Sequence, residues 1–212
     1  MKKILFILTL MTLFSCNKAK ESMQDAVTGA MEKAIESNTG TKVELPDAED
    51  LENNAGFVNY KSNNKVYLKD DERMQATVIF QKENEELTIA LQLTGENGKS
   101  FIATINHVSE DFSLPLKGKF AVSNAYDGVN PSATVLYMNA TEGGMMTSEL
   151  PFEGEISISK LTKEEVLFEI KGKGGDASNT DSPSNWNAIS GNGKLTSPII
   201  MSYGIDKNNI LE

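Results

Sequence analysis

Few residues in this sequence have the types and spacing that nucleophilic catalysis requires. His107 is the only histidine of the chain, and it stands beside Asn106 with Glu110 and Asp111 close behind. A histidine next to a carboxylate can serve as a general base, but no Gly-x-Ser-x-Gly elbow offers it a serine nucleophile. We therefore interpret His107 as a strand-end residue whose ring nitrogens are bonded locally, and we predict that the protein is not an enzyme.

The segment LTGENGKSF contains a pattern that resembles a phosphate-binding loop. Gly98-Lys99-Ser100 has the ending of that motif, which also requires a glycine where this chain has Leu93 and a helix directly afterwards. Residues 101–105 instead have the composition of a β-strand. Because Asn97-Gly98 tolerates the positive φ angles of a type I′ turn, the segment predicts a β-hairpin rather than a nucleotide site.

Metal ligands are scattered along the chain rather than clustered. One histidine and a single cysteine offer too few nitrogen and sulfur ligands for zinc. Two polar loops offer oxygen ligands for calcium, but neither has the Asp-x-Asp-x-Asp-Gly spacing of an EF-hand loop. Their candidate residues are Asp127, Asn130, Asp176, Asn179 and Asp181. We interpret both segments as polar loops and predict neither a metal nor another cofactor.

The only tryptophan, Trp186, lies in the polar segment TDSPSNWNAIS. A large ring among small polar residues can stack on a sugar or another ligand, with the amides of Asn185 and Asn187 as hydrogen-bonding groups. More often such a ring plugs the end of a β-structure and holds its own loop in place. Trp186, Asn185 and Asn187 are therefore the candidate ligand contacts of the chain. The favoured role of the Trp186 ring is structural, to hold its own loop in place.

The most specific pattern is the N-terminal run MKKILFILTLMTLFSC. Two lysines precede the apolar residues Ile4 to Phe14, and the only cysteine, Cys16, follows. Eleven residues are too few to span a bilayer, because a spanning helix needs about 20. A charged start, a short apolar core and a small residue near the end are typical of a secretory signal.

Leu13-Phe14-Ser15-Cys16 resembles the lipobox of bacterial lipoproteins, and the whole chain resembles small β-rich Bacteroidota envelope lipoproteins. The resemblance implies that a diacylglyceryl group joins the Cys16 thiol, that residues 1–15 are removed, and that the new amine is acylated. The protein would then be a membrane-bound envelope lipoprotein. Because Asn17 is not the aspartate that retains some lipoproteins at the inner membrane, the resemblance favours the outer membrane.

The charge balance restricts the partners of the mature chain. The chain from Cys16 to Glu212 has 197 residues and a formal charge of −12, because the removed segment contains two lysines and no acid. Such an acidic surface argues against nucleic acid, whose phosphates require lysine and arginine. The sequence therefore predicts a lipid anchor as the membrane contact, with a protein or a glycan as the candidate ligand.

Residues 16–56 form the N-terminal region, which begins with the lipidated cysteine. An amphipathic helix is predicted over about residues 21–37, because apolar residues recur there at three- and four-residue spacing. They are Met23, Val27, Ala30, Met31, Ala34 and Ile35. The acidic linker that follows contains Pro46 and a short candidate strand at residues 42–45.

From residue 57 to residue 212 the hydrophobic period changes from helical to alternating. Leu87, Ile89, Leu91 and Leu93 alternate with polar or small residues, which is typical of a half-buried strand. Phe101, Ala103, Ile105 and His107 are assigned to one face of the next strand. About eight to ten such strands predict a mainly β domain, an antiparallel β-sandwich or barrel.

Three functions fit these observations. The leading hypothesis is a lipid-anchored, non-enzymatic binding or interaction module. The alternative is a structural or assembly component that works through the N-terminal helix. A small polysaccharide hydrolase is the least favoured function. Such an enzyme needs two carboxyl groups at a set distance, and the sequence does not indicate which two of its thirty acidic residues would form that pair.

Overall fold

A computed structural model describes residues 33, 43–44, 53–69, 72–95, 98–121, 127–140, 146–147, 149–206 and 210–211. These residues contain thirteen strands, of which β1 and β9 have two residues each. The strands are β1 (Val43–Glu44), β2 (Ala55–Ser62), β3 (Lys65–Leu68), β4 (Gln75–Glu83), β5 (Glu86–Thr94), β6 (Ser100–Val108), β7 (Leu116–Phe120), β8 (Ser132–Ala140), β9 (Met146–Thr147), β10 (Leu150–Leu161), β11 (Glu165–Gly175), β12 (Asn187–Thr196) and β13 (Ile199–Tyr203).

The strands form one curled, mixed sheet, a half-barrel. Its order is β1-β13-β4-β5-β6-β8-β7-β10-β11-β12-β2-β3, and β9 pairs with β8. An antiparallel bridge between Gly56 and Met74 brings the start of β2 back to the residue preceding β4. Curling of this kind follows from strand twist, and it gives the sheet a concave inner face that side chains can fill.

Asparagines set two of the tight connections. Asn63 and Asn64 join β2 to β3 with φ angles of 46° and 64°, and Asn84 and Glu85 join β4 to β5 with φ angles of 51° and 72°. Two consecutive residues with positive φ are the geometry of a type I′ turn, whose twist matches that of the paired strands. Because asparagine tolerates positive φ better than most residues, the local sequence favours these tight turns.

The inner face of the half-barrel contains the hydrophobic core. Leu87, Ile89, Leu91 and Leu93 of β5 are buried, as their alternation predicts. An aromatic group occupies the middle of the core, where the Phe101 ring contacts Tyr60 edge-on and stacks on Phe168, each at 5.7 Å between ring centroids. The opposite, outer face carries the polar members of each alternating strand.

The mainly β character is confirmed, but the all-antiparallel arrangement is wrong. β13 pairs with β4 in parallel, and β7 pairs with β8 in parallel. The described residues also contain thirteen strands rather than eight to ten. They form one curled sheet, and the structure does not show the two stacked sheets of a sandwich. Hydrophobic alternation identifies a half-buried strand, but it does not say which neighbour that strand pairs with.

The predicted face of β6 is correct only up to Ile105. A register shift lies between Leu87 and Ile89 where β5 pairs with β6, and His107 has a φ angle of 59°. This bulge turns His107 away from the core and places Val108 there instead, 1% exposed. A bulge adds one residue to a strand, and strict alternation therefore misassigns every residue beyond it.

Two N-terminal predictions have different outcomes. The short strand predicted near residues 42–45 is confirmed as β1. The helix predicted over residues 21–37 lies outside the described residues apart from Lys33, and it stays a prediction. Among the described residues, no helix has the length and apolar character needed to cross a membrane.

Candidate functional site

One end of the curled sheet, which we call the loop end, brings together four strand termini. Leu150 at the start of β10 pairs with Gly175 at the end of β11, and Asn187 at the start of β12 pairs with Gly174. Ser62 at the end of β2 pairs with Ile189. The candidate contacts Trp186, Asn185 and Asn187 therefore lie beside residues that are far away in sequence.

The loop between β11 and β12 is built from two short 3₁₀ helices, Ala177–Asn179 and Pro183–Asn185. The Asp176 carboxylate caps the first one, accepting a hydrogen bond from the Ser178 backbone N–H at 2.9 Å. Hydrogen bonds from Ser178 hold the pKa of Asp176 below its usual range. Proline at the first position of the second helix fixes its φ angle in advance.

Trp186 holds this loop against the sheet. Its Nε1–H donates to the Asn179 carbonyl at 2.8 Å, and its ring lies 5.4 Å from the Phe152 ring. Phe152 is buried, whereas Trp186 is half-buried. The ring therefore has a structural role, in agreement with the favoured interpretation of the sequence.

The two neighbouring amides occupy different positions. Asn185 is exposed in the second 3₁₀ helix, and Asn187 is half-buried as the first residue of β12. The structure thus keeps Trp186, Asn185 and Asn187 together at the loop end. Their contact with a ligand stays a prediction.

Substitutions at Trp186 separate the two parts of its structural role. Trp186→Phe removes the N–H donor and part of the ring area, and it is expected to lower the free energy of unfolding by about 1 to 2 kcal/mol. Trp186→Ala also removes the contact with Phe152, and a total of about 2 to 3 kcal/mol is expected. Urea unfolding followed by far-UV circular dichroism measures both, with the exposed Asn185→Ala as control. A Trp186→Ala variant as stable as that control would show that the ring does not hold the loop.

A second cluster at the loop end surrounds Glu149. The Tyr67 hydroxyl donates to Oε1 at 3.0 Å, and the Ser62 hydroxyl donates to Oε2 at 3.0 Å. The Tyr60 hydroxyl donates to the Glu149 carbonyl at 2.9 Å. These three bonds join β2 and β3 to the residue that precedes β10.

The tyrosines of this cluster remain protonated donors at neutral pH. Burial, together with the nearby Glu149 carboxylate, raises the pKa of Tyr67 to about 12, and burial raises that of Tyr60 further. Sequence reasoning missed the cluster, because Glu149 stands in an ordinary polar segment without a motif. The only signal was alternation in β2, which places Tyr60 and Ser62 on the same face as Val58.

The residues near His107 do not assemble as the sequence suggested. Its Nδ1 lies 3.0 Å from the Glu86 carboxylate rather than beside Glu110 or Asp111. Glu110 pairs with Lys82, and Asp111 accepts a hydrogen bond from Ser109. The bulge in β6 explains the change, because it turns the imidazole towards β5.

The two polar loops considered for calcium bond internally. The Asp127 carboxylate accepts hydrogen bonds from the backbone N–H groups of Asn130 and Val129, each at 2.9 Å. These bonds hold the pKa of Asp127 well below its usual range. In the part of the chain that the structure describes, no group of three His, Cys, Asp or Glu residues is placed to share a metal ion.

A groove of about 150 Å³ lies on the three strands β11, β12 and β2, and we call it the outer groove. It is lined by Asn59, Lys61, Glu169, Ile170, Lys171, Ser190, Gly191 and Asn192. The Asn59 Oδ1 atom is inaccessible to solvent and accepts no hydrogen bond from the described residues. Such an orphaned acceptor is uncommon in folded proteins.

The outer groove belongs to a basic part of an acidic protein. Six neighbouring strands, β7, β10, β11, β12, β2 and β3, form what we call the basic wall and carry eight lysines and four glutamates. The lysines are Lys61, Lys65, Lys117, Lys119, Lys160, Lys171, Lys173 and Lys194. The five strands β4, β5, β6, β8 and β13 carry one lysine and two glutamates. Charge is therefore distributed asymmetrically around the sheet.

Part of the basic wall is neutralised internally. Glu165 lies between Lys160 and Lys194, with carboxylate-to-ammonium distances of 2.8 and 2.5 Å. These hydrogen bonds lower the pKa of Glu165 to about 2. This triad holds the carboxylate ionised at neutral pH and leaves the lysines around the outer groove as a separate group.

These features describe a small β-protein with a curled mixed sheet, a loop end pinned by Trp186 and Glu149, and a polar outer groove. No protein-family model, curated protein or solved structure matches the chain.

Proposed function

We propose that this protein is a lipid-anchored envelope lipoprotein whose β domain is a non-enzymatic binding module. The observation that carries the proposal is the run that ends in Leu13-Phe14-Ser15-Cys16, with the only cysteine of the chain at the position that is lipidated in the lipobox. Two or more acyl chains anchor a protein stably, since each buried methylene contributes about 0.8 kcal/mol. The proposed location is the outer membrane.

The binding part of the proposal is supported by the outer groove and the loop end. The groove offers amide, hydroxyl and ammonium groups on strands rather than on loops. Groups on a rigid sheet lose little conformational entropy when they bind a ligand. The loop end adds Trp186, Asn185 and Asn187 as further candidate contacts, and its hydrogen bonds hold the ring in one position.

An assembly role for the N-terminal helix is the alternative. It rests on the apolar stripe that includes Met23, Val27 and Met31 in the sequence. An interaction partner would then dock on the helix rather than on the β domain.

Substitution of Cys16 tests the anchor directly. Cys16→Ala removes the thiol that accepts the lipid, and the amount of protein in the membrane fraction is expected to fall at least about tenfold. The same variant should incorporate no labelled palmitate. Cell fractionation with immunoblotting and metabolic labelling measure the two results.

The neighbouring residue supplies a matched control for this experiment. Ser15→Ala keeps a small residue before the cysteine, and it should remain membrane-bound and labelled like the wild type. A Cys16→Ala protein found in membranes at the wild-type level would refute the anchor.

A further inference from the structure

We propose that the outer groove binds an anionic saccharide, a sugar that carries a carboxylate or a phosphate beside its hydroxyl groups. This inference rests on the proposed binding function and names its ligand class. The argument starts from strand register, which places two rows of side chains across β2, β12 and β11.

The first row carries positive charge on both sides of a hydroxyl. Ser190 of β12 lies directly opposite Lys61 of β2 and opposite Lys171 of β11. Directly opposite residues have Cβ atoms about 5 Å apart, so both ammonium groups can reach one anionic group above Ser190. The row is therefore suited to a carboxylate or a phosphate.

The second row supplies neutral hydrogen-bonding groups. Asn192 lies opposite Asn59 on one side and opposite Glu169 on the other. Two residues along a strand correspond to about 6.8 Å, which is near the width of a sugar ring, so a ring above Ser190 presents its hydroxyls to this row. Amides and carboxylates both accept from and orient hydroxyl groups.

Asn59, which lines the groove, also has a buried Oδ1 acceptor for which the described residues supply no donor. An unsatisfied buried acceptor is energetically unfavourable. A ligand hydroxyl that reached the Asn59 amide would supply the donor that the described residues do not.

The charges in the groove are available to a ligand. Lys171 pairs with Glu169 at 2.9 Å, but their side chains are 71% and 57% exposed. Exposed pairs of this kind contribute little to stability, and Lys171 can exchange Glu169 for a ligand anion at low cost. With Lys61, the groove has two cationic residues and one anionic residue on a protein whose formal charge is −10.

The test uses the full mature lipoprotein purified in detergent. Binding of trigalacturonate, glucose 6-phosphate and the uncharged trigalactose is measured by microscale thermophoresis at low salt. We expect at least one anionic probe to bind and trigalactose to bind at least about tenfold more weakly. Lys61→Ala and Asn192→Ala are each expected to weaken binding of that anionic probe about tenfold. The two anionic probes distinguish a uronic acid from a sugar phosphate as the natural ligand class.

Lys117→Ala is the matched control, because Lys117 lies on β7 of the same wall and pairs with Glu155 outside the groove. Binding of neither anionic probe, or binding unchanged by both groove variants, would overturn the inference. If trigalactose bound as tightly as trigalacturonate and lost its binding in the groove variants, the anionic ligand class would be refuted. The proposed binding function of the β domain would still be supported. Failure of the anchor appears separately, in the fractionation of Cys16→Ala.

Discussion

Replacing Phe168 with alanine is expected to lower the free energy of unfolding by about 3 to 5 kcal/mol. Phe168 is 3% exposed, and its ring stacks on Phe101 with an interplanar angle of 16°. The edge of the same ring covers Gly193, where an alanine methyl would lie 2.3 Å from the ring. The ring fills a space that β12 leaves open by having no side chain, and alanine would leave a cavity there.

A double-mutant cycle with Gly193 tests this arrangement specifically. Gly193→Ala alone forces the Phe168 ring to move and is expected to destabilise by about 1 to 3 kcal/mol. On the Phe168→Ala background the new methyl enters the cavity and keeps only the close contact with the Phe57 backbone oxygen at 3.1 Å, so most of its unfavourable effect should vanish. Urea unfolding of the four proteins gives the coupling energy, which is expected to exceed about 1 kcal/mol.

Leu167→Ala is the control for the Phe168 cycle, because Leu167 lies on the outer face of the same strand and is half-buried. Its effect should be less than half that of Phe168→Ala. Strictly additive effects of Phe168→Ala and Gly193→Ala would contradict the packing of the ring on β12.

Gly174→Ala is the second substitution with a large expected effect, a loss of about 3 kcal/mol. Its methyl would lie 1.9 Å from the Leu150 backbone oxygen and 2.8 Å from the Pro151 Cα. Backbone atoms cannot move aside as the end of a side chain can, so β10 and β11 would have to separate at their loop end. Thermal and urea unfolding measure the loss.

The adjacent glycine is a matched control for Gly174. An alanine methyl at Gly175 would meet no atom within 4 Å, and Gly175→Ala is expected to change stability by no more than about 0.5 kcal/mol. The two variants have the same composition and neighbouring positions. Equal stability of the two would show that β10 and β11 do not approach each other as closely at Gly174 as the structure describes.

Local patterns predicted the strands of this protein well where nothing interrupts them. The alternation of Leu87 to Leu93 predicted β5, and Asn97-Gly98 correctly predicted that β5 and β6 form a hairpin. These predictions succeed because a side-chain period of two and a tolerance for positive φ are properties of neighbouring residues.

The candidate site was predicted only in part. The sequence indicates Trp186 and its flanking amides as candidate contacts, because a lone large ring in a polar segment is unusual. Its Asn179 partner is seven residues away and could not be identified, since the hydrogen bond depends on the path of two 3₁₀ helices. The Glu149 cluster and the outer groove could not be predicted at all, because their members are ordinary polar residues of separate strands.

The sequence by itself determined the mainly β character, the alternation that separates core from surface, the hairpin between β5 and β6 and the lipobox resemblance at Cys16. Each of these depends on residues that are adjacent or two to four positions apart. Only the tertiary structure decided that β13 runs parallel to β4 and that Lys61 and Lys171 flank Ser190. Which strands become neighbours is determined by how the whole curled sheet buries its inner face. The sequence of a single strand therefore does not predict its neighbours.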